Sequence, residues 1–352
     1  MNTKELIEDI TKNTKLIVKS EVSLTPYTTW KIGGPAEILT IVKSKDELII
    51  LIQYCLKNSL PFTILGKGSN VLISDKGLRG LVIINEYSEI NITDNKLHFK
   101  SGPQNKPNPR VNIEEYSSID YPENDLAKVE VKIASGTILS YAINSLISKG
   151  ITGLQWFAGI PGTIGGALFN NIHGGTHFFS EFVLSSLVLD SKGNLVELTN
   201  EKMEFDYDKS IFHTNEYVII EVKLLLNIGD SKKALETSQA WAKKKVETQP
   251  FNSGGCCFQN ITDQEKEYHN LISTSWGYII DNLLHLKGTR VGDAIISHKH
   301  AAFIENIGSA KASDVLSLMD IIYTKSKNIL GITPKTEIIF LGFEKENIER
   351  FQ

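Results

Sequence analysis

Gly159-Ile160-Pro161-Gly162-Thr163-Ile164-Gly165-Gly166-Ala167 is the stretch on which the fold turns. Four glycines and a proline in nine residues oppose regular structure, since in a helix interior each glycine costs about 1 kcal/mol and a proline about 3 kcal/mol. Two readings fit: a tight turn, or a loop whose bare backbone hugs something flat or anionic. A second glycine-rich loop, Gly66-Lys67-Gly68-Ser69-Asn70-Val71-Leu72, follows the apolar Phe62-Thr63-Ile64-Leu65. Alone it is explained as well by a hairpin turn. Together, each after an apolar run, the two loops favour one diphosphate-bearing cofactor held between them. Neither is a G-x-G-x-x-G opening a helix, and no G-x-x-x-x-G-K-[ST] occurs, so a Rossmann domain or P-loop is unsupported.

Outward from these loops the pattern mixes helix and strand without a regular alternation of the two. Residues 36–56 read as a strand followed by an amphipathic helix, and 128–150 as strand, turn and helix. Residues 181–228 alternate as hairpin strands. Ser231 to Lys245 and Ala312 to Asn328 carry helical signals. Between Asn95 and Lys128 the composition shifts to Pro, Asn, Ser and charge, which reads as a long, partly unstructured surface insertion.

The 352 residues allow two or three domains. With 37 basic and 41 acidic residues, net −4, the chain lacks the basic excess of a dedicated nucleic-acid binder. No apolar run reaches the roughly 18 residues that span a bilayer, and Met1–Asn13 carries no secretory signal pattern, so a cytoplasmic protein is expected. Three cysteines, Cys55, Cys256 and Cys257, fit a reducing compartment. His173 and His177 stand four apart, but the glycines between them oppose a helix, and no metal centre is expected. His298 and His300 alternate as on a strand and read as structural.

Several motifs in order carry a family resemblance. Thr28-Thr29-Trp30-Lys31-Ile32-Gly33-Gly34-Pro35-Ala36, the Gly66–Ile83 segment and Ala158–Ala167 resemble UDP-N-acetylenolpyruvoylglucosamine reductases. So do Trp276–Asp281, Lys287–Ala294, His298–Ile304 and Glu337–Gly342. The short stretch between Phe212 and Gly255 is similar to the form of the family without an extra tyrosine-bearing loop. The resemblance implies an α+β fold: a two-part FAD-binding module (PCMH/VAO-like) plus a C-terminal α+β substrate-binding domain. Its parts would be 1–82, completed by about 333–352; 83–228, carrying the 95–128 insertion; and 229–332 for the substrate. It further implies FAD and NADPH as cofactors, reduction of UDP-N-acetylglucosamine enolpyruvate to UDP-N-acetylmuramate in peptidoglycan synthesis, no partner beyond these small molecules, and a monomer.

Site residues follow by position. The resemblance assigns Gly66, Gly68, Ser69, Asn70, Val71, Gly159, Ile160, Pro161, Gly162, Thr163, Gly165, Gly166, Asn171 and Ile280 to the cofactor. Cys256 stands where the family's proton-donating serine stands, and a thiol with an ordinary pKa near 8.5 is a stronger acid than an alcohol. Cys257 reads as core. Glu337 falls at the catalytic glutamate. In Phe205-Asp206-Tyr207-Asp208-Lys209-Ser210-Ile211-Phe212, Asp208 replaces the family's arginine and reverses its charge; a carboxylate cannot give a substrate carboxylate the bidentate support of a guanidinium. Lys209 is adjacent but, in an extended segment, would face the other way. Tyr207, Ser210, Lys244, Lys245 and Arg290 are the candidate substrate ligands, Lys243 to Lys245 reading equally as a solvated face. Asp208 leaves two alternatives open: a related FAD-dependent oxidoreductase with another substrate, and a non-catalytic flavin-binding homologue.

Overall fold

A computed structural model describes residues 2–97, 119–123, 126–214 and 216–351. The chain divides into two compact units: Met1–Val18, Thr40–Gly66 and Ile83–Lys245 form the first, and Lys19–Leu39, Lys67–Val82 and Val246–Gln352 the second. The mixture is α+β, as expected. Among the described residues no helix is long and apolar enough to cross a membrane.

The first unit is built on a six-stranded sheet. Its path runs Leu195–Thr199, Val183–Asp190, Tyr217–Ile228, Lys128–Ala134, Ile90–Leu97, with Ile151–Thr152 pairing separately with Tyr217–Ile228. Every pair is antiparallel, which agrees with the hairpins read from the 181–228 alternation. Helices Leu139–Ile147 and Ser231–Thr248 supply Ile143, Leu146 and Trp241 to a core with Val131, Val222, Leu224 and Phe157. Each fully buried side chain of this size contributes roughly 1.5–3 kcal/mol. Helix Lys45–Lys57 begins at Ser44 through a reciprocal capping box with Glu47.

Most of the 95–128 insertion lies outside the described residues. Its described edges are ordered, and the expected unstructured part falls on residues outside the described ones. Ile90–Leu97 is a ladder strand, and Asp120 accepts hydrogen bonds from Thr176 N–H (3.3 Å), the Thr176 hydroxyl (3.1 Å) and Trp241 Nε1 (3.0 Å).

The second unit contains a four-stranded antiparallel sheet in the order Ser253–Cys256, Phe303–Asn306, Ala294–Ile296, Arg290–Val291. A separate parallel pair joins Ile339–Leu341 to Val71–Ile73. Helix Ala312–Leu330 adds Val315, Leu318, Met319 and Ile322 to a core with Trp30, Trp276, Ile279 and Phe303. His298 and His300 do not alternate on a strand. They sit in the turn between Ala294–Ile296 and Phe303–Asn306, closed by Ser297 N–H donating to Phe303 O at 2.9 Å.

Candidate active site

In the first unit Gly66, which opens one glycine loop, meets the 159–167 loop. A Cβ placed on Gly66 would lie 2.7 Å from Thr163 Oγ1, so only a residue without a side chain lets the loops approach this closely. Thr163 caps the short helix Ile164–Phe169, its hydroxyl accepting Gly166 N–H at 3.2 Å. The 159–167 loop is fixed from below by Leu139 N–H on Gly162 O (3.1 Å), Ile164 N–H on Thr137 O (2.9 Å) and Gly165 N–H on Ser135 O (2.8 Å). Among the described residues, the N–H groups of Gly159, Gly162 and Thr163 have no acceptor within their own unit. Unspent donors on a rigid, side-chain-poor loop are what a phosphate group fits. Gly159, at φ +80°, packs on the C-terminal turns of helix Ser231–Thr248: a Cβ there would meet Lys245 Cδ at 2.9 Å and Ala242 Cα at 3.1 Å. That contact brings the Lys245 stem to the loop. Lys244 instead lies over the Trp241 ring, 5.7 Å from its centroid.

Beside this loop the chain departs from what its sequence implies. Phe205–Phe212 is not extended. Asp206 and Lys209 form an isolated bridge around a tight turn, and Asp208 takes a left-handed backbone at φ 50°. The argument that Lys209 and Asp208 face opposite ways along a strand therefore fails. The Asp208 side chain is 7% exposed, and its Oδ1 lies 3.2 Å from His173 Nδ1. Tyr207 stacks on the His173 ring at 5.1 Å. Asn171, 3% exposed, donates from Nδ2 to Asp206 O (2.9 Å) and accepts Ser180 N–H on Oδ1 (3.0 Å). Its amide thus tethers two loops. Ser210 is 2% exposed and its hydroxyl donates to Phe169 O at 2.6 Å, which holds the turn's conformation. His173 is the residue that sequence reasoning missed as Asp208's partner. The available signal was the charge reversal at Asp208, since a carboxylate that the fold buries calls for a positively charged or hydrogen-bonding partner.

In the second unit the Thr28–Ala36 motif acts as a clamp. The Thr29 hydroxyl donates to Ser253 O (2.7 Å), Trp30 Nε1 to Ile304 O (2.7 Å), and Asn306 Nδ2 to Trp30 O (3.0 Å). This fixes strand Ser253–Cys256, on which Cys256 is half-buried and Cys257, just beyond it, fully buried. Burial pushes the Cys257 thiol up to about 12, so it stays neutral in the core, as read from the sequence. Open space adjoins Cys256: a Cβ on the preceding Gly255 would meet nothing within 4 Å. The segment bearing Glu337 is stitched to the cysteine pair by Glu337 N–H donating to Cys257 O (3.1 Å) and by a bridge between Phe258 and Thr336. Asn70, from the Gly66–Leu72 loop, donates to Glu337 O (3.0 Å), while its own carbonyl accepts Ile339 N–H (3.0 Å). The backbone at Cys257, Glu337 and Asn70 is thereby stitched together within this unit.

Two predicted residues stand elsewhere. Ile280 is fully buried in the second core, which leaves its side chain no face for a cofactor. Arg290 bonds Gly292 O and Asp293 Oδ1, both at 2.6 Å, within its own hairpin. The Asp293 carboxyl is held below the usual range by Ser309 N–H and by that guanidinium.

Comparison with known proteins agrees with this layout. The family model "UDP-N-acetylenolpyruvoylglucosamine reductase, C-terminal domain" matches residues 247–341, and a FAD-binding domain model matches residues 120–199, which include the 159–167 loop. A UDP-N-acetylenolpyruvoylglucosamine reductase of Prochlorococcus marinus is 32% identical over 330 residues, 93% of this chain and 97% of the relative. One of Clostridium tetani is 31% identical over 335 residues, 94% of each. The crystal structure of the Thermus caldophilus reductase matches with a TM-score of 0.67 at 24% identity, over 93% of this chain and 98% of that one, a likeness of fold. With relatives above 30% identical along nearly the whole chain, and a FAD-binding and a C-terminal family domain following one another in it, this chain belongs to the UDP-N-acetylenolpyruvoylglucosamine reductase family.

Proposed function

We propose that this chain is an FAD-containing, NADPH-dependent reductase of UDP-N-acetylglucosamine enolpyruvate, forming UDP-N-acetylmuramate for peptidoglycan in the cytoplasm. When bound, FAD supplies the hydride relay from NADPH to the enolpyruvyl carbon–carbon double bond. The chain's own residues do the rest. The meeting of Gly66 with Thr163 and the donor-rich 159–163 backbone support a diphosphate seat, and Lys245, packed on Gly159, adds a cation beside it. The Cys256 thiol donates the proton to the substrate carbon adjacent to the one that takes hydride. Glu337 orients the substrate for that transfer, as a carboxylate within reach of the developing enol can. We also retain the three-region division, with 1–82 and 333–352 completing one flavin-binding part, 83–228 the other, and 229–332 holding substrate.

The observation that carries this reading is the Glu337 N–H to Cys257 O bond. It ties the backbone bearing the proposed carboxylate to Cys257, the residue next to the proposed acid, across 80 residues of sequence, with open space at Gly255 on the acid's other side. The test is NADPH oxidation by the FAD-loaded protein with and without the enolpyruvyl substrate, the product identified by mass. Substrate-dependent oxidation yielding the muramate supports the reading. Flavin reduction indifferent to that substrate would replace it with a related oxidoreductase, and bound flavin that NADPH does not reduce would replace it with a non-catalytic homologue.

A further inference from the structure

The 159–167 loop rests on a turn, and one side chain holds that turn. Gly165 N–H donates to Ser135 O and Ile164 N–H to Thr137 O, so residues 135–137 set the height of the loop. The contact is as close as bare backbone permits: a Cβ on Gly165 would lie 2.9 Å from both Ser135 Cβ and Ser135 O. Ser135 is buried, and its Oγ accepts Asn85 Nδ2 at 2.9 Å. Asn85 ends strand Leu78–Asn85, is buried, and accepts Tyr87 N–H on its Oδ1 at 3.1 Å. That second bond fixes which end of the amide faces Ser135, because an N–H requires the oxygen. The amide lies directly on Gly136, where a Cβ would come within 2.6 Å of Asn85 Oδ1. Tyr87 is anchored in turn: its hydroxyl donates to Glu221 Oε1 at 2.7 Å, and Glu221 Oε2 meets Lys45 Nζ at 3.0 Å. All of these residues belong to the first unit. A buried amide costs the desolvation of its polar atoms. Apolar packing would fill the same space without that cost, whereas directional bonds fix a position.

We propose that Asn85 is a positioning residue for the flavin diphosphate. Through Ser135 and the Gly136 turn it sets where the Gly162 and Thr163 N–H groups stand, before any cofactor arrives. The inference rests on the diphosphate seat proposed above and is independent of which substrate the flavin reduces. Donors fixed in advance bind an anion without a reorganisation cost, so a loop that slides on its floor loses affinity even with every donor still present. Asn85 acts through Ser135: the bond from Asn85 Nδ2 to Ser135 Oγ holds the residue whose carbonyl takes Gly165 N–H.

The experiment uses the FAD-loaded protein and reads two quantities: the FAD dissociation constant, from flavin fluorescence, and the phosphorus NMR positions of the bound diphosphate. Asn85→Ala should weaken FAD about tenfold, the scale of one misaligned hydrogen bond to a charged group, and displace at least one diphosphate resonance. Ser135→Ala removes the other end of the same bond and leaves the Ser135 carbonyl to Gly165 N–H. It should act in the same direction, and it keeps the test open if Asn85→Ala does not fold. The double variant should bind FAD no worse than Asn85→Ala, because both changes cut one bond. A residue that only stabilises the fold would lower the urea midpoint and leave the resonances in place. Unmoved resonances in the folded variants therefore overturn the proposal, as do additive losses in the double variant. Gly66→Ala tests the seat separately, since its Cβ would press on Thr163 Oγ1 at 2.7 Å. If Gly66→Ala leaves affinity and resonances unchanged along with the others, the diphosphate seat falls and takes the proposal with it. If Gly66→Ala moves them and Asn85→Ala and Ser135→Ala do not, only the role of Asn85 falls.

Discussion

Replacing Asn171 tests whether the turn beside the glycine loop is held as described. Asn171 is 3% exposed, sits at φ 44°, and satisfies two backbone groups, Asp206 C=O and Ser180 N–H. Asn171→Ala removes both partners and places a Cβ residue without a compensating side chain in the left-handed region. Each abandoned backbone group costs about 1–3 kcal/mol, and the left-handed backbone about 1–2 kcal/mol more than asparagine or glycine would incur. With some relief from water, the total is about 3–5 kcal/mol. Asn171→Gly loses the same two bonds but tolerates the backbone, so it should be milder by about 1 kcal/mol. Urea unfolding read at unchanged m-value gives both numbers from the midpoints. Two outcomes refute the reasoning: alanine and glycine variants of equal stability, which removes the conformational part, or losses under about 1 kcal/mol for both, which removes the hydrogen bonds.

Cys256→Ala should leave FAD content and flavin reduction by NADPH intact while slowing substrate reduction about 100-fold or more, the usual scale for a lost general acid; Cys256→Ser should recover part of the rate, and full turnover in the alanine variant would end the proton-donor role. Glu337→Gln should lower turnover with flavin retained, and unchanged steady-state kinetics would make Glu337 structural. Alkylation of the native protein should modify Cys256 well before Cys55 and Cys257, which are fully buried and whose thiols burial pushes up to about 12; peptide mass mapping over time reads the order. His300 is held below the usual imidazole range by burial and then by the Lys287 charge, and its Nδ1 accepts Ala302 N–H at 3.3 Å. The unfolded histidine titrates near 6.5, so below about that pH the unfolded chain takes a proton that the native state refuses. Stability should be insensitive to this group above about pH 6.5 and fall as pH drops through it, until the folded pKa is passed; His300→Gln should flatten that acid limb of the urea midpoint.

How much of this was legible depended on how local the signal was. Glycine density at 159–167 marked a break in regular structure, which holds over 159–163 while Gly165 and Gly166 lie in helix Ile164–Phe169, and the long helices 231–248 and 312–330 declared themselves by periodicity. The Phe205–Phe212 turn did not. Its aromatic residues two apart imitate a strand, while the deciding facts, the Asp206–Lys209 bridge and the left-handed Asp208, depend on Asn171, 35 residues away. Asp208 was visible as an oddity and opaque as a partner, since its contact with His173 spans the same distance in sequence. Asn171 and Ser210 matched the family pattern, yet both turned out to hold backbone: pattern matching cannot separate a residue that meets a ligand from one that shapes the wall behind it.

The composition of the second unit from three separated segments has a consequence for how the protein comes into being. Its pairings reach far along the chain: Trp30 Nε1 finds Ile304 O across 274 residues, and Asn70 finds Glu337 O across 267. During synthesis at roughly 5–20 residues per second, Trp30, Ile32 and Leu72 leave the ribosome on the order of 10–50 s before the partners that will bury them exist. Closing such loops is entropically slow. For that interval these apolar side chains stand without the partners that bury them in the folded unit, so aggregation competes with folding until synthesis is complete.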